Sequence, residues 1–439
     1  MTPMPEANTT PQAILQKMGI EALNAMQEEA FAAIQSGNET ILLSPTGTGK
    51  TLAFVLPLLQ SLDRKAEGVQ LLILIPSREL AIQIEQVVRD MGTGFKINAF
   101  YGGQSFSKDR EALKQPPTIL IGTPGRISDH LRRSTFETNG IHTLVLDEFD
   151  KSLEVGFESE MKEILRSLHN LKKKVLTSAS QELEVPSFVR LSSPTKINYL
   201  QKGTSKLQLK VIHSPSKDKL DTLVKALAHL GNKPGIVFCN FKDSIDRVST
   251  FLDEHDIAHG CFHGGMEQQD RERALIKFRN GTHQLIVATD LAARGLDISE
   301  IAFILHYHFP LREHEFTHRN GRTARMHSGG TAYVIQGLGE KLPEYMDKME
   351  EEKLSDAPMP SPSTWETVFI SGGRREKISK GDIAGLFIKQ GGLTKEQLGV
   401  IEVKNDCAFI GVHKDGVASL IQLTDNTRLK KKKIRVKLV

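Results

Sequence analysis

The residues most suited to chemistry lie in a glycine-punctuated turn that follows an apolar run, over residues 41–51 (ILLSPTGTGKT). Backbone N–H groups freed by Gly47 and Gly49 can converge on phosphate oxygens, while Lys50 can neutralise terminal phosphates and Thr51 can ligate Mg²⁺. The first position of the generic pattern G-x-x-x-x-G-K-[ST] is Ser44 here. A strand-to-helix turn without chemistry is the alternative, but the Gly-Lys-Thr ending favours a nucleotide-binding loop that includes Thr46 and Thr48.

A second group of candidates follows the apolar segment 143–146, where Asp147 and Glu148 stand side by side. A carboxylate at the end of a strand near a phosphate loop can hold Mg²⁺ through water, and its neighbour can orient or deprotonate an attacking water. We therefore predict that Asp147 serves the metal and Glu148 the water. An acidic strand end that merely starts a helix is the alternative, which the preceding Gly-Lys-Thr loop disfavours.

The elements that would position these residues alternate between apolar strands and helices. Runs rich in Val, Ile and Leu that alternate with helices indicate a parallel sheet covered on both faces. The pattern then repeats after a short polar join at 201–206, which predicts two α/β lobes in tandem with a ligand cleft between them. The strands are predicted at 70–76, 96–101, 118–122, 141–147 and 174–178, and again at 207–212, 235–240, 257–262, 284–288, 301–307 and 330–335.

A third module follows a spacer rich in proline and serine at 355–364, which itself follows a predicted acidic helix. Predicted strands at 365–371, 399–404, 407–413 and 433–438 are separated by helices at 380–390 with 394–398, and at 416–423. The order β-α-β-β-α-β is that of a ferredoxin-like sandwich. We therefore predict domains at 1–203, 204–354 and 365–439, with a linker at 355–364.

Charge is distributed unevenly along the chain. Residues 365–439 contain 15 Lys and Arg against 8 Asp and Glu, whereas the remainder contains 42 against 45. A basic segment can be simply a solvated face, but its separation into a distinct module favours nucleic acid as a partner. The three cysteines, Cys239, Cys261 and Cys407, have no C-x-x-C spacing, and no membrane span or signal peptide is evident, so we expect a cytoplasmic protein.

Ten motifs, taken in order, give the chain a strong resemblance to the DEAD-box ATP-dependent RNA helicases of superfamily 2. The resemblance covers about residues 15–345 and implies two RecA-like lobes that close on ATP and single-stranded RNA. The motifs are SPTGTGKT at 44–51, PSRELA at 76–81, GG at 102–103, TPGR at 123–126, DEFD at 147–150, SAS at 178–180, IVFC at 236–239, HGGMEQQDR at 263–271, ATDLAARGLD at 288–297 and HRNGRTAR at 318–325.

Several site residues are implied by this resemblance alone. Gln27 matches an adenine-reading glutamine, Asp297 a ribose contact and Gly295 its close-approach neighbour. Arg322 and Arg325 match arginine fingers, whose guanidinium groups stabilise charge on the γ-phosphate. Coupling of the ATP state to lobe closure is implied for Ser178, Ser180, Asp150 and His318. RNA contacts are implied for Arg78, Gly103, Thr123, Gly125, Arg126, Arg271 and Thr289.

Two departures from the family pattern are Phe149 in place of Ala in Asp-Glu-Ala-Asp, and Ala324 in place of Gly in the last motif. Both leave the catalytic carboxylates and the arginine fingers in place, so we expect ATPase activity to be retained. No aromatic residue precedes Phe31, so the aromatic partner of adenine that the family places upstream of Gln27 is missing.

The C-terminal module resembles the RNA-recognition-like domain of DbpA-type DEAD-box proteins. This resemblance implies binding to structured RNA, with ribosomal RNA or ribosomal particles as candidates, and a tether for the helicase core. Phe369 and Phe409 could form a stacking platform or belong to the core. The function expected is an ATP-dependent RNA helicase. The alternatives are an ATP-gated RNA clamp or chaperone with little strand separation, and, less favoured, a DNA helicase.

Overall fold

The computed structural model describes residues 10–45, 47–179, 185–200, 207–290, 301–323, 330–346 and 349–439, except the side chain at position 314. The described residues up to Leu200 form one compact unit. Those from Leu207 onward form a second, which contains both the second α/β lobe and the C-terminal module.

The first lobe is a seven-stranded sheet in which every described strand pair is parallel. Its strand order is β3-β4-β2-β5-β6-β1-β7. The three strands β2, β4 and β5 are buried along their whole length, as expected for a parallel sheet covered on both faces. The strands are β1 (Glu39–Leu43), β2 (Leu71–Leu74), β3 (Ile97–Phe100), β4 (Ile119–Gly122), β5 (Thr143–Leu146), β6 (Lys173–Ser178) and β7 (Thr195–Asn198).

Helices flank this sheet, and several begin at side chains that cap them. Asn24 forms a capping box with Gln27 at the start of α2, and Ser77 accepts a hydrogen bond from the Leu80 N–H at the start of α4. The helices are α1 (Pro11–Lys17), α2 (Ala25–Ser36), α3 (Lys50–Leu59), α4 (Arg78–Met91), α5 (Phe106–Leu113), α6 (Pro124–Arg132), α7 (Phe149–Glu154) and α8 (Glu158–Ser167).

The second lobe repeats the topology of the first. Its parallel sheet has the order β10-β11-β9-β12-β13-β8-β14, which becomes the order of the first sheet when each strand number is lowered by seven. The strands are β8 (Leu207–His213), β9 (Gly235–Phe238), β10 (Gly260–Phe262), β11 (Leu285–Ala288), β12 (Phe303–His306), β13 (Gly330–Gln336) and β14 (Glu350–Glu351), and the helices are α9 (Leu220–Leu230), α10 (Lys242–Glu254), α11 (Gln268–Arg279) and α12 (Glu313–Asn320).

The C-terminal module is an antiparallel sheet of order β16-β17-β15-β20 packed on two helices. A separate two-stranded hairpin precedes the last strand. The elements are β15 (Trp365–Ile370), α13 (Lys380–Lys389), β16 (Leu398–Val403), β17 (Ala408–His413), α14 (Lys414–Thr424), β18 (Arg428–Leu429), β19 (Lys432–Lys433) and β20 (Val436–Leu438). The predicted fold class, two RecA-like parallel-sheet domains and a small ferredoxin-like domain, is confirmed.

Three local predictions were wrong. Residues 394–397 form turns rather than a helix, and Leu398 already begins β16. The acidic segment before the spacer contains the strand β14, which pairs with β8, instead of a helix. The predicted strand at 433–438 is divided between the hairpin and β20, because the Ile434 backbone bonds to Asn426 and Thr427 rather than to β15. None of the described helices is long and apolar enough to cross a membrane.

Candidate nucleotide and RNA sites

The predicted site residues of the first lobe follow the carboxyl ends of neighbouring parallel strands. Strands β1, β6 and β5 lead into the phosphate loop, Ser178 and Asp147, whereas β2, β4 and β3 lead to the predicted RNA contacts. Because carboxyl ends of parallel strands meet at one edge, the sheet order separates a nucleotide half from an RNA half.

The phosphate loop is shaped by two glycines with positive φ, Gly47 at +83° and Gly49 at +84°. Gly49 also precedes α3, so the N–H groups at the start of that helix face the loop. The Lys50 Nζ donates hydrogen bonds to the carbonyl oxygens of Ser44 at 2.6 Å and Pro45 at 2.9 Å. For Lys50 to reach a phosphate, these two bonds must be exchanged for bonds to the ligand.

Gln27, the predicted adenine reader, lies against this loop. Its Nε2 donates to the Gly49 carbonyl at 3.3 Å, and its Oε1 accepts from the Asn24 N–H at 3.0 Å. A Cβ atom added at Gly49 would lie 2.4 Å from the Gln27 Nε2. The structure therefore places Gln27 beside the loop, and its role in adenine recognition stays a prediction.

Asp147 is almost completely buried, with 3% of its surface exposed. The Thr177 hydroxyl donates to its Oδ1, and the Glu148 N–H donates to the same oxygen at 3.1 Å. Burial raises the pKa of Asp147, while the Thr177 hydrogen bond and the charge of Lys50 act in the opposite direction. Both hydrogen bonds that the Asp147 carboxylate accepts within the described residues end on Oδ1, so Oδ2 is the oxygen suited to a metal-bound water.

Glu148 adopts a left-handed backbone conformation, with φ of 46°, immediately before α7. A non-glycine residue with positive φ is uncommon, and such residues cluster at functional sites. Glu148 is only partly buried, unlike Asp147. The two neighbouring carboxylates therefore differ in environment, as their predicted metal and water roles require.

Thr177 is a site residue that the sequence analysis missed. It lies on β6, the strand between β1 and β5. Thr177 pairs with Leu42 of β1, and the residue before it, Leu176, pairs with Leu146 of β5. Its hydroxyl donates to Asp147 and accepts from the Glu148 N–H at 3.2 Å. The signal available in the sequence was only a hydroxyl residue near the end of a predicted strand; its position between β1 and β5 comes from the sheet order.

Phe149, the departure from the family signature, is fully buried in the hydrophobic core on one face of the first sheet. Ser178 is also buried, and Asp150 lies in the first turn of α7 within 3.5 Å of the Lys151 ammonium. The coupling role implied for Ser178 and Asp150 stays a prediction. Thr46, Ser180, Gly295, Asp297, Ala324 and Arg325 lie outside the described residues.

The RNA half of the first lobe brings Arg78 against Gly102 and Gly103. A Cβ atom added at Gly103, whose φ is +88°, would lie 2.7 Å from Nη1 of Arg78. Thr123 caps α6, and Gly125 lies in its first turn. The sequence motifs that contain these residues therefore meet at one edge of the sheet.

Arg126 differs from the other RNA candidates because its guanidinium is held inside the first lobe. Its Nε donates to Asp109 Oδ2 at 2.9 Å, and the group lies 4.8 Å from the Phe106 ring centroid. The same carboxylate contacts the buried His130. Arg126 thus stabilises the edge on which Thr123 and Gly125 lie, and a direct RNA contact stays a prediction.

In the second lobe, Arg271 and Thr289 approach the same residue. The Arg271 guanidinium lies 4.8 Å from the Phe262 ring centroid, and the Thr289 N–H donates to the Phe262 carbonyl at 3.3 Å. Arg322 is buried just beyond α12, which contains His318. Within the described part of this lobe, both predicted RNA contacts therefore lie against Phe262.

Arg319 was not assigned a role from the sequence, yet it is almost completely buried, with 1% of its surface exposed. Its Nε donates to Asp290 at 2.6 Å, and its other nitrogens donate to the Asn240 side chain and the His308 carbonyl. A buried, fully bonded arginine fixes the segments it joins. Arg319 therefore connects α12 to the three segments that contain Asp290, Asn240 and His308.

Comparison with protein families gives three matches that together span most of the chain. The DEAD/DEAH box helicase family matches residues 24–187, the helicase conserved C-terminal domain matches 218–327, and the DbpA RNA binding domain matches 367–438.

Among curated proteins, the ATP-dependent RNA helicase DbpA of Escherichia coli is 30% identical over 456 residues, with all of both chains covered. The protein of the same name from Bacillus subtilis is 29% identical, with 96% of each chain covered. The ATP-dependent RNA helicase CshA of Listeria monocytogenes is 34% identical over 80% of this chain and 69% of its own.

Solved structures show the same fold. Dbp5 of S. cerevisiae, bound to RNA and ADP-BeF3, matches with a TM-score of 0.69 and 24% identity over 79% of this chain and 93% of its own. Mss116p, bound to single-stranded RNA and AMP-PNP, matches with a TM-score of 0.69 and 23% identity over 79% of this chain and 77% of its own.

Proposed function

Because this chain belongs to the DEAD-box ATP-dependent RNA helicases and ends in a DbpA-type RNA-binding domain, we propose that it hydrolyses ATP to ADP and phosphate and thereby separates short RNA duplexes. The observation that carries this proposal is the network around Asp147. The loop that contains Lys50 follows β1, and the buried carboxylate that Thr177 orients follows β5; both strands pair with β6, which carries Thr177, at one sheet edge.

Within this proposal, Mg²⁺ would supply positive charge that offsets the negative charge of the phosphates and so eases the approach of an attacking water. The residues fit such an ion, because both donors are oxygens, which Mg²⁺ prefers: the Thr51 hydroxyl and the buried Asp147 carboxylate, whose two accepted hydrogen bonds end on Oδ1. Asp147 Oδ2, through water, and Thr51 would hold the ion, as expected where phosphates provide further ligands.

The chemistry of this chain's own residues follows from their positions. Lys50 exchanges the Ser44 and Pro45 carbonyls for phosphate oxygens. Glu148, held by its own N–H to both Asp147 and Thr177, orients the attacking water and accepts its proton. The role of Arg322 and Arg325 as arginine fingers is part of the same proposal.

RNA binding by the two lobes is proposed to be largely independent of base sequence. The candidate contacts Arg78, Gly103, Thr123, Arg271 and Thr289 are guanidinium, backbone and hydroxyl groups, which suit phosphates and 2′-OH groups rather than base edges. Specificity would then come from the basic C-terminal module, which tethers the lobes near structured RNA, with ribosomal RNA as the candidate.

Strand displacement tests the proposal. A fluorescently labelled RNA duplex of about ten base pairs, flanked by single-stranded RNA, is mixed with the protein, and separation is followed with and without ATP. Separation that needs ATP supports a helicase. ATP hydrolysis without separation would indicate an ATP-gated clamp, and equal activity on DNA would indicate a helicase for DNA.

The tether is tested separately by crosslinking the protein to cellular RNA and comparing it with a chain truncated after Leu354. Loss of a defined RNA target on truncation is expected, with ribosomal RNA enriched among the targets of the full chain. Unchanged targeting would refute the tether and leave the helicase proposal standing.

A further inference from the structure

The C-terminal module packs against the second lobe, with which it shares one compact unit. Thr367 of β15 is fully buried in this contact. The Asn280 Nδ2 donates to its hydroxyl at 3.2 Å, and the Thr282 hydroxyl lies 2.8 Å from it. Beside them, Arg279 at the end of α11 forms an ion pair with Glu402 of β16 at 2.8 Å. One end of the module's outer sheet face is therefore closed by polar contacts.

Further along the same face, a row of side chains crosses all four strands. Glu402, Phe409, Phe369 and Lys437 are consecutive cross-strand partners. They point away from the module's own core, because their strand neighbours Val368, Ile370, Ala408 and Ile410 fill that core. The Phe369 and Phe409 ring centroids are 5.6 Å apart, and Lys437 Nζ lies 5.4 Å from the Phe369 centroid.

Phe369, Phe409 and Lys437 of this row line one wall of a crevice of about 570 Å³, a size within the range of roughly 300–1,000 Å³ that is typical of ligand sites. The opposite wall belongs to the second lobe. Helix α11 contributes a face with Asp270, Arg273 and Lys277, strand β10 contributes Cys261, and the connection between α11 and β11 contributes His283. The two phenylalanines are thus neither core residues nor an open platform, because a second wall faces them.

The charges of the crevice favour an anion. Arg273 pairs with Asp270 at 3.3 Å, whereas Lys277 and Lys437 form no ion pair with any described residue. The ring nitrogen Nδ1 of His283 is buried without a hydrogen-bond partner among the described residues. Burial lowers the pKa of His283 to about 4, so this imidazole is neutral at pH 7 and can bond to an uncharged group.

An aromatic pair flanked by unpaired cations matches a nucleotide of a single strand. The π-face of any base can stack on an aromatic ring, and the adjoining phosphates need positive charge. We propose that this crevice binds one or two nucleotides of single-stranded RNA, with a base against Phe369 and Phe409 and phosphates held by Lys277 and Lys437. The site rests on the proposed RNA-binding function and deepens it, because it requires side chains from both the second lobe and the C-terminal module.

A consequence follows for the whole unit. RNA in the crevice bridges α11 and the module's sheet, so it holds the module on the second lobe in addition to the Asn280 and Arg279 contacts. RNA bound by the module would then leave the crevice at the N-terminal end of α11, which contains Arg271 and lies away from Arg279.

The site is tested with the full chain and a single-stranded RNA that contains 4-thiouridine. Ultraviolet crosslinks are expected both in β15 or β17 and between residues 259 and 283. RNA affinity is then measured by anisotropy over a range of salt concentrations. For Phe369→Leu we expect about a tenfold loss of affinity with an unchanged salt slope. For Lys277→Gln we expect a several-fold loss, with the slope of log K against log salt reduced by about 0.7.

Lys225→Gln, at an exposed lysine of α9 outside the crevice, is the matched control and should keep both the affinity and the slope of the wild type. Wild-type affinity in both Phe369→Leu and Lys277→Gln, or loss in the module variant alone, would overturn the composite site. A wild-type protein that binds no RNA at all would instead overturn the proposed function on which the site rests. Lys277 is partly exposed, so its variant tests the site even if Phe369→Leu fails to fold.

Discussion

The Thr177 hydroxyl donates a hydrogen bond to Oδ1 of Asp147, 30 residues away in the chain, and accepts one from the N–H of Glu148. One side chain of β6 thus positions both carboxylate residues of the DEFD motif. Since β6 lies between β1 and β5, the same residue connects the strand that ends in the phosphate loop to the strand that ends in the carboxylates.

Replacing Thr177 with valine tests this relationship without changing the side-chain shape. Removing the hydroxyl takes one of two hydrogen bonds from a buried carboxylate, a change worth about 1–3 kcal/mol. We expect kcat for ATP hydrolysis to fall roughly tenfold, with a smaller change in KM for ATP, and Thr177→Ser to restore activity. Thr40→Val, at a buried threonine of β1, is the control. Loss of activity in Thr177→Ser as well would argue for packing rather than the hydrogen bond.

Phe149, which departs from the family signature, should make a measurable contribution to the packing of the first lobe. Its side chain is fully buried in the core with Leu146, Ile164 and Leu176, so Phe149→Ala, which creates the family sequence, leaves a cavity. We expect the free energy of unfolding of the first lobe to fall by about 3–5 kcal/mol, measured by urea unfolding, while the folded variant still hydrolyses ATP. A change below about 1 kcal/mol would show that the site collapses without cost.

Gly103 and Gly68 provide a matched pair for the RNA half of the first lobe. Both have a φ of +88°, but an added Cβ meets the Arg78 guanidinium at Gly103 and nothing within 4 Å at Gly68. Each alanine variant should carry a similar backbone strain of about 1–2 kcal/mol. Only Gly103→Ala should weaken RNA binding, several-fold, because it displaces Arg78. Equal RNA affinities in the two variants would remove Arg78 and Gly103 from the RNA site.

Buried histidines should make the second unit sensitive to acid. Burial lowers the pKa of His306 to about 3, and of His283 and His308 to about 4. Each therefore binds a proton near pH 6.5 in the unfolded chain but not in the folded one, so the free energy of unfolding falls as pH falls from 6.5 toward 4. Each contributes a slope of about 1.4 kcal/mol per pH unit.

His306 is the group to change, since it accepts from Arg319 through Nδ1 and donates to Asn320 at 2.9 Å through Nε2. His306→Gln keeps a donor and an acceptor but cannot titrate. Urea unfolding between pH 7 and pH 5 measures how the free energy of unfolding depends on pH. In this variant that slope should be smaller by the contribution of about one proton, roughly 1.4 kcal/mol per pH unit. An unchanged slope would mean that His306 does not contribute to the acid sensitivity.

The fold and the phosphate-loop half of the site were predictable because they depend on local patterns. Apolar strands that end in Gly-Lys-Thr or Asp-Glu place those residues at one sheet edge whatever the remaining contacts are. Thr177 was not predictable in this way, because its importance depends on which strand separates β1 from β5. The sequence order of strands does not reveal that arrangement.

The C-terminal module shows a second limit of sequence patterns. Its ferredoxin-like order could be read from its sequence, but Phe369 and Phe409 alternate with core residues on their strands, and periodicity alone cannot say what faces them. The contacts of Thr367 with Asn280 and Thr282, and the crevice lined by both phenylalanines and by α11, show that the second lobe does. The wrongly predicted helix at 394–398 has a local cause: the segment turns directly into β16.

The central claim is that the Lys50 loop and the Asp147–Glu148 pair hydrolyse ATP when RNA is bound. The most direct measurement is the steady-state rate of phosphate release by the full chain, with and without saturating single-stranded RNA, beside the Glu148→Gln variant. The account predicts a rate that rises at least tenfold with RNA and falls by two or more orders of magnitude in Glu148→Gln, with ATP still bound. A folded protein that releases no phosphate at saturating RNA, or a Glu148→Gln variant as active as the wild type, would contradict it.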